Sequence, residues 1–487
     1  MVVEGTWVGV DVVIKPNFSF TTPLHARLED GAGVFKPDVA VKANADGSYT
    51  LSLRTMSTVA AGIHSGNVDI SLCADAGCGT RQTVPSIRVP FEIGMMSRSS
   101  DWPGNHLTVL SGWPGVLDWG TFQGNAAHNG HVPVATDPDR FTTRWQMPAF
   151  GAHGSRYPAR STLTAEGGRF FVADGNSKLY ARREHDGSEI WQYDVKDLQY
   201  PSVNPPAVAN GVVYMAAGQQ SSTYMFAFDA VSGAVVFKSP MSSQWEHYLA
   251  PTIGTQGIYT NAGGYGGLYA FKPTGEQLYF APAAQTSMWT PAVDASGVYL
   301  YTGGKLDVRH PVSGELLASI TDPSFENYIY EIGGAPVLGA PGSVFVANYL
   351  NSILNDGAIG NTLIKFDLAS KSIGWQIPGV YPSTPAYTAG VLYVVNESPV
   401  RLEARSEANG TLLWSWVPPL AGDTRFRSEV LKTDTLVFVS TNLATYAIDL
   451  ATHLPVWSYP QSGRLALSKN GILYIQGEAL LTAINLK

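Results

Sequence analysis

Aromatic and arginine residues recur at one position in a set of repeated units. Each unit opens with a short segment of proline and small residues, and the loop before it carries an aromatic residue or an Arg. Aromatic faces suit sugar rings and planar ligands, and Arg guanidinium groups bind carboxylates through paired hydrogen bonds. The pattern predicts one binding face, whose candidate ligand-binding residues are Tyr157, Tyr200, Trp245, His247, Trp289, Tyr330, Glu331, Tyr381, Arg425, Arg427 and Arg464. The alternative is that these side chains only fill a central channel.

The same loops carry residue types for general acid–base catalysis. His247 lies beside Glu246, and Glu331 and Glu429 lie on related loops, but the sequence does not fix their distances. No catalytic residue is therefore assigned. The histidines show no metal-ligand spacing, and nucleophile-elbow, phosphate-loop and calcium-loop motifs are absent from the sequence. Residues 348–361 offer Asn and Asp oxygens for calcium, but a solvated hairpin loop explains them better, and no metal site is predicted.

A recurring hairpin positions these loops. Residues 226–237 read as two strands of alternating apolar residues, joined by a turn that contains Asp229, Ser232 and Gly233. Variants of this hairpin lie at residues 179–191, 268–276, 364–375, 402–414 and 446–457. A hairpin that repeats at a period of roughly 40 to 50 residues indicates a β-propeller.

The repeats predict eight blades. The units open near Thr162, Pro206, Pro251, Pro291, Pro336, Pro385, Glu429 and Ala466. The last unit has three strands, and the strand around Trp145 precedes the first unit without a blade of its own. Pairing these two chain ends completes the last blade and removes two open sheet edges. We therefore predict an eight-bladed β-propeller over residues 119–487, closed by its N- and C-terminal strands, with seven blades as the alternative.

The N-terminal part lacks the recurrent hairpin. Residues 1–95 contain short alternating apolar runs and predict a small immunoglobulin-like β-sandwich, followed by a linker at residues 96–118. Cys73 and Cys78 have four residues between them, which suits a small disulfide loop, with free thiols as the alternative. A disulfide would indicate an exported protein, in the periplasm, at the cell surface or secreted. The first residues have neither a basic segment nor a long apolar one, so we expect that a signal sequence or anchor is not part of this chain.

Composition narrows the class of protein. Only 14% of residues are charged, and the 50 Gly and 31 Pro are typical of an all-β chain with many turns. The net charge is −8 with no basic stripe, which argues against a nucleic-acid partner. The sequence contains no apolar run of about 18 residues, so no membrane span is predicted.

The repeat Ala-Phe-Asp-Ala-x-Ser-Gly, followed by an aromatic residue, resembles the tryptophan-docking repeat of quinoprotein dehydrogenases. It is also similar to that of their non-enzymatic relatives, typified by the eight-bladed outer-membrane assembly lipoprotein. Residues 119–128 resemble the lead-in to such repeats. The dehydrogenases carry an adjacent Cys pair over pyrroloquinoline quinone (PQQ), and calcium ligands and a catalytic Asp in long insertions. This chain has no Cys after Cys78 and short blades, so PQQ and calcium are disfavoured and no cofactor is predicted.

These observations predict an exported, non-catalytic binding or scaffold protein. Its funnel-shaped propeller face would bind a glycan, a peptide or a protein. The alternative is a polysaccharide lyase or hydrolase on the same face, and a PQQ-dependent dehydrogenase is a second, disfavoured alternative. Clustering of His247, Glu246, Glu331 and Tyr330 around one cleft would favour catalysis, whereas an open aromatic ring would favour binding.

Overall fold

The structure is a computed structural model with two compact units, Met1–His106 and Leu107–Lys487. Both units are built from β-strands, and a short 3₁₀ turn lies at Pro138–Arg140. The structure describes residues 2–3, 9–16, 24–56, 58–59, 62–80, 86–96, 107, 109–150, 163–174, 177–195, 202–219, 222–243, 248–325, 331–351, 358–420 and 422–487.

The N-terminal unit is a seven-stranded β module. Its strands are Val2–Val3 (β1), Gly9–Ile14 (β2), His25–Asp30 (β3), Asp38–Ala43 (β4), Tyr49–Arg54 (β5), Gly62–Cys73 (β6) and Ile87–Met96 (β7). Their order in the sheet is β1-β7-β6-β3-β4-β5-β2. Strand β4 pairs with β3 through Asp38 and Val39 and with β5 through residues 40–43, so it passes from one part of the sheet to the other. The immunoglobulin-like class of this module stays a prediction.

The predicted disulfide between Cys73 and Cys78 is confirmed, and it closes a small loop at the end of β6. Asp75 organises the loop, because its carboxylate accepts hydrogen bonds from the backbone N–H groups of Gly79 (3.0 Å) and Thr80 (2.7 Å). These bonds favour the charged carboxylate and lower the pKa of Asp75.

The second unit is a propeller whose blades are antiparallel sheets in chain order. Blade one consists of Thr164–Glu166 (β9), Arg169–Ala173 (β10), Lys178–Arg183 (β11) and Glu189–Asp194 (β12). Blade two consists of Ser202–Val203 (β13), Ala207–Ala209 (β14), Val212–Gly218 (β15), Thr223–Asp229 (β16) and Val235–Met241 (β17). Blade three consists of Thr252–Ile253 (β18), Ile258–Asn261 (β19), Gly267–Phe271 (β20) and Gln277–Pro282 (β21). Blade four follows strand Ser287–Trp289 (β22) and consists of Ala292–Val293 (β23), Val298–Thr302 (β24), Lys305–Arg309 (β25) and Leu316–Thr321 (β26).

The remaining blades have the same pattern, and β22 joins blade five by pairing in parallel with β27. Blade five consists of Glu331–Gly334 (β27), Val337–Leu338 (β28), Ser343–Asn351 (β29), Ala358–Asp367 (β30) and Ser372–Gly379 (β31). Blade six consists of Ala386–Thr388 (β32), Val391–Glu397 (β33), Val400–Ser406 (β34) and Leu412–Trp416 (β35). Blade seven consists of Leu431–Lys432 (β36), Leu436–Ser440 (β37), Thr445–Asp449 (β38) and Pro455–Tyr459 (β39).

Blade eight closes the ring. It consists of Arg464–Leu467 (β40), Ile472–Gln476 (β41), Leu480–Asn485 (β42) and, as its outer strand, Thr142–Pro148 (β8) from the start of the propeller. Trp145 lies opposite Ala483 in this pairing and is 1% exposed. The predicted eight blades and their closure by N- and C-terminal strands are thereby confirmed.

Tryptophans of the outer strands join neighbouring blades. The Trp145 Nε1–H donates to the Glu184 carbonyl (2.9 Å), and the Trp191 Nε1–H donates to the Ala230 carbonyl (3.2 Å), each in the next blade. The repeat requires glycine at this contact: Gly233 has φ +73°, and a Cβ there would lie 2.6 Å from the Trp191 ring. The tryptophan of the preceding blade therefore packs against the glycine of the Asp-x-x-Ser-Gly turn.

The antiparallel blades define two ends of the propeller. At one end the chain enters each innermost strand, and the hairpins that join the second and third strands lie at the same end. We call this end the entry face. The turns between the third and fourth strands lie at the opposite end, the exit face.

Candidate functional site

The middle of the propeller is occupied by residues 119–134, which we call the central segment. It forms hydrogen bonds with seven blades in succession, among the residues that the structure describes. The contacts are Trp119 O with Ala165 N (2.9 Å), Gly120 O with Val208 N (2.7 Å), Thr121 Oγ1 with Pro251 O (2.7 Å), Ala126 O with Val293 N (2.8 Å), Ala127 O with Leu338 N (2.9 Å), Asn129 O with Tyr387 N (2.8 Å) and Gly130 O with Lys432 N (2.8 Å). The central segment therefore links the innermost parts of seven blades by hydrogen bonds.

Glycines allow this close approach of backbones. A Cβ at Gly120 would lie 2.6 Å from the Val208 carbonyl oxygen, and one at Gly130 would lie 2.7 Å from the Val430 carbonyl oxygen. Gln123 adds a side-chain contact, since its Nε2 donates to the same Val430 carbonyl (3.1 Å). The small residues of the segment are therefore needed for contact with the blades.

His128 is the buried centre of the segment. Its Nδ1 lies 3.2 Å from the Pro336 carbonyl oxygen, which can only accept, so Nδ1 carries the proton. Its Nε2 lies 3.0 Å from the Thr252 hydroxyl oxygen. Burial disfavours the imidazolium and lowers the pKa of His128 to about 3. His128 is thus a neutral structural residue that links blades three and five.

An apolar cluster lies between the central segment and four consecutive blades. Phe122 packs there with Ala207, Leu249, Met288 and Ala335, which come from blades two to five and the loops before them. Phe122 is 3% exposed and also meets the His128 ring edge to face at 5.5 Å. The part of the channel next to blades two to five is therefore packed with side chains beneath the entry face.

Two of the predicted ligand-binding aromatics are buried between neighbouring blades. Trp289 is 1% exposed, contacts a cluster that includes Ala126, and donates its Nε1–H to the Thr286 carbonyl (3.0 Å). Tyr381 is fully buried, with its hydroxyl 3.5 Å from Glu403 Oε2. Burial raises the pKa of Tyr381 to about 12. Neighbouring blades enclose both rings, and a ligand-binding role for them stays a prediction.

Several other candidates lie outside the described residues. They are Tyr157, Tyr200, Trp245, His247, Tyr330 and the side chain of Glu331. The same is true of Glu246 and of residues 352–357 in the possible calcium loop. Among the residues that the structure describes, no group of three or more His, Cys, Asp or Glu side chains is placed to hold a metal ion. In that same part of the chain, no helix is long and apolar enough to cross a membrane.

Arg425 and Arg427 lie on the entry face, in the loop between blades six and seven. This loop forms an antiparallel bridge between Phe426 and Thr441. The Arg427 N–H donates to the Ser440 carbonyl (2.7 Å), and the Asn442 N–H donates to the Arg425 carbonyl (3.0 Å). Side chains alternate in such an extended segment. Phe426 accordingly packs in the core between blades six and seven, and both arginines are exposed.

Two glutamates cross the junction between blades six and seven. Glu397 of blade six accepts a hydrogen bond from the Phe426 N–H (2.7 Å). Burial raises its pKa, although the nearby Arg425 and Arg427 charges oppose the shift. Glu429 accepts from the Thr384 N–H (2.5 Å) and lies 3.4 Å from the Arg464 guanidinium, and burial raises its pKa as well. Arg464, the third predicted arginine, belongs to blade eight, so this ion pair joins blades seven and eight.

The structure adds two exposed entry-face residues that the sequence did not single out. Leu443 is 44% exposed in the hairpin after Asn442, next to Gly422 at the start of the arginine loop. Tyr265 is 86% exposed in the blade-three hairpin and is flanked by two glycines on each side. That Gly-Gly-Tyr-Gly-Gly run is a local signal for a protruding ring. Leu443 has no such signal. We call Arg425, Arg427 and Leu443 the blade-seven patch.

Comparisons with known proteins agree with this architecture. Solved structures with a similar fold are BamB from Moraxella catarrhalis (13% identity, TM-score 0.54, 71% of this chain and 99% of that one), a europium-containing methanol dehydrogenase (12%, 0.53, 76% and 98%) and the computationally designed Ika8 protein (12%, 0.52, 69% and 98%). At these identities the likeness concerns the fold alone. No curated protein sequence matches this chain.

A family model described as outer membrane protein assembly factor BamB (PQQ_2) matches residues 128–415, which is more than half of the chain. The match runs from His128, within the central segment, into the last strand of blade six, so it covers the repeated hairpins of blades one to six. The chain therefore belongs to the PQQ_2 family, described as outer membrane protein assembly factor BamB.

Proposed function

We propose that this protein is an exported, non-catalytic binding or scaffold protein that binds a peptide or protein partner on its entry face. The observation that carries the proposal is the presentation of Arg425 and Arg427. Both side chains are exposed, while their backbone is fixed by hydrogen bonds to residues 440–442. Arginine on a rigid surface is typical of protein-binding hot spots.

The packed channel supports binding at the surface. Phe122, Leu249 and Met288 belong to one buried cluster beneath the entry face, so a planar quinone at this position would have to displace them. The residues present therefore do not fit PQQ at this position. A partner that covers the entry face needs no such space, and this favours a macromolecular partner over a buried small molecule.

The contacts of Glu429, which is partly buried, support a structural role over acid–base catalysis. Glu429 Oε2 accepts from the Thr384 amide and Oε1 faces Arg464, so both oxygens are engaged in joining blades. A general acid or base needs an oxygen directed at its substrate. The polysaccharide-lyase or hydrolase alternative would have to rest on other residues.

Export is supported by two observations. The Cys73–Cys78 disulfide suits an oxidising compartment. The family description refers to an outer membrane assembly factor, and we infer a comparable extracytoplasmic location for this chain.

The test is selection of random peptides displayed on phage against the whole immobilised chain, with a glycan array measured in parallel. We expect enriched peptides that protect the amides of residues 422–430 and 440–444 from hydrogen exchange. Protection confined to the exit face, or saturable glycan binding without any enriched peptide, would contradict the proposal. A variant with Arg140→Gln and Lys371→Gln is the control, because both positions are exposed at the exit face.

A further inference from the structure

We infer that the blade-seven patch binds an extended peptide with acidic residues at positions i and i+2, next to an apolar residue. This inference rests on the proposed function and names the partner's chemistry. The bridge between Phe426 and Thr441 holds Arg425 and Arg427 in extended backbone, with both arginines on the side opposite Phe426. Alternate residues of extended chains are roughly 6.5 to 7 Å apart. Carboxylates at positions i and i+2 of an extended peptide are separated by the same distance and lie on one side of its backbone.

The patch is fixed before a ligand arrives. Asn442 Oδ1 accepts from the Thr424 N–H (2.9 Å) and the Arg425 N–H (3.1 Å), in addition to the backbone bonds of the bridge. The Phe426 ring anchors the loop in the core between blades six and seven. Binding therefore orders two side chains rather than a loop, which lowers the entropy cost of association.

The charges of the patch favour an acidic partner. Glu397 lies near both arginines, but one of its oxygens accepts from the Phe426 amide and the side chain is half-buried. The carboxylate of Asp423, in the same loop, is buried and accepts from the Tyr446 hydroxyl (2.7 Å). Both neighbouring carboxylates thus turn inward, whereas the two guanidinium groups face solvent, so the solvent-facing side of the patch is positive. The chain as a whole carries −8, so this local positive surface contrasts with the rest of the molecule. Guanidinium groups bind carboxylates in bidentate geometry.

Leu443 sets the position of the apolar residue. Because Thr441 pairs with Phe426 and Asn442 bonds to Arg425, Leu443 lies beyond the Arg425 end of the pair. It is 44% exposed and lies against Gly422. A peptide whose apolar residue flanks the acidic pair at that end would cover Leu443.

The test is fluorescence polarisation of labelled peptides of about nine residues with the whole chain. One peptide carries Leu and a Glu-Ala-Glu core, a second carries Glu-Glu-Ala in the same composition, and a third carries Gln-Ala-Gln. We expect the first to bind about tenfold or more tightly than the others, because only it satisfies both guanidinium groups. Its affinity should fall between about 50 mM and about 500 mM NaCl.

The variant Arg425→Gln/Arg427→Gln should lose this binding, whereas Arg140→Gln/Lys371→Gln, with the same loss of charge at the exit face, should retain it. Equal affinity for the two acidic peptides, or an equal loss in the two variants, would overturn the inference. Library peptides that bind the Arg425→Gln/Arg427→Gln variant as tightly as the unchanged chain, and still protect residues 422–430 and 440–444, would also overturn it while supporting the proposed function. Failure of every peptide to bind would overturn both. Thermal melting of each variant checks that the propeller is folded.

Discussion

The carboxylate of Glu397 in blade six accepts a hydrogen bond from the backbone N–H of Phe426, in the loop that leads into blade seven, at 2.7 Å. Glu429 of blade seven makes the reciprocal contact, accepting from the Thr384 N–H that leads into blade six at 2.5 Å. Each glutamate thus satisfies a backbone donor of the other blade at a partly buried junction. The exposed arginines are held in place by this exchange.

Two substitutions of Glu397 distinguish the effect of its charge on peptide binding from the effect of its hydrogen bond. The Glu397→Gln side chain still accepts from the Phe426 N–H but no longer repels an acidic ligand. We expect it to strengthen binding of the Glu-Ala-Glu peptide by about twofold to fivefold. Glu397→Ala loses the hydrogen bond as well and should weaken binding, because the loop is released. Polarisation titrations of both variants measure the difference, and equal effects would show that Glu397 does not hold the loop.

His128 should make the propeller sensitive to acid. Its folded-state pKa of about 3 lies below the ordinary value of 6.5, so the folded state binds fewer protons than the unfolded state. This contribution to stability is fully present above pH 6.5 and is lost as the pH falls towards 3, by up to about 1.4 kcal/mol per pH unit.

The variant His128→Asn tests this source of pH dependence. Asn tolerates the positive φ of 55° at this position and keeps an N–H near the Pro336 carbonyl. We expect lower stability at pH 7 but a smaller decrease between about pH 6.5 and about pH 4.5, measured as urea midpoints. An unchanged pH profile would assign the acid sensitivity to other groups.

Gly120 should be intolerant of a side chain. In Gly120→Ala the new Cβ would lie 2.6 Å from the Val208 carbonyl oxygen, so the central segment must move away from blade two. We expect a loss of about 1 to 3 kcal/mol, seen as a lower melting temperature. Gly264→Ala is the matched control, because a Cβ there meets no atom within 4 Å. Equal melting temperatures for the two variants would mean that close contact between the central segment and blade two does not stabilise the propeller.

Trp145 should control closure of the ring. It is 1% exposed, stacks on Phe170 at 5.5 Å and donates to blade one, so Trp145→Ala leaves a cavity between the closing blade and its neighbour. We expect a loss of about 3 to 5 kcal/mol and faster proteolysis of β8. Trp414→Ala, at the equivalent position of blade six but only partly buried, should cost less. Similar losses in both variants would contradict a special role for the closing strand.

Local sequence determined the repeating part of the fold. Asp229, Ser232 and Gly233 specify a turn by short-range hydrogen bonds and a positive φ, and the same chemistry recurs in other blades, so the count of eight and the unpaired Trp145 strand followed from the sequence. The disulfide could likewise be predicted from the sequence, because it joins cysteines only five positions apart.

Only the tertiary structure decided what lies inside the channel and what lies on its surface. Gln123 donates a hydrogen bond to Val430, 307 residues away, so no local pattern could show that residues 119–134 lie in the channel and connect the blades. Trp289 and Tyr381 look like exposed loop aromatics in sequence, yet neighbouring blades enclose them. Arg425 and Arg427 remain at the surface because the bridge to Thr441 turns Phe426 inward. Burial depends on which distant strands meet at each position, and a repeat that is similar in every blade does not encode that difference.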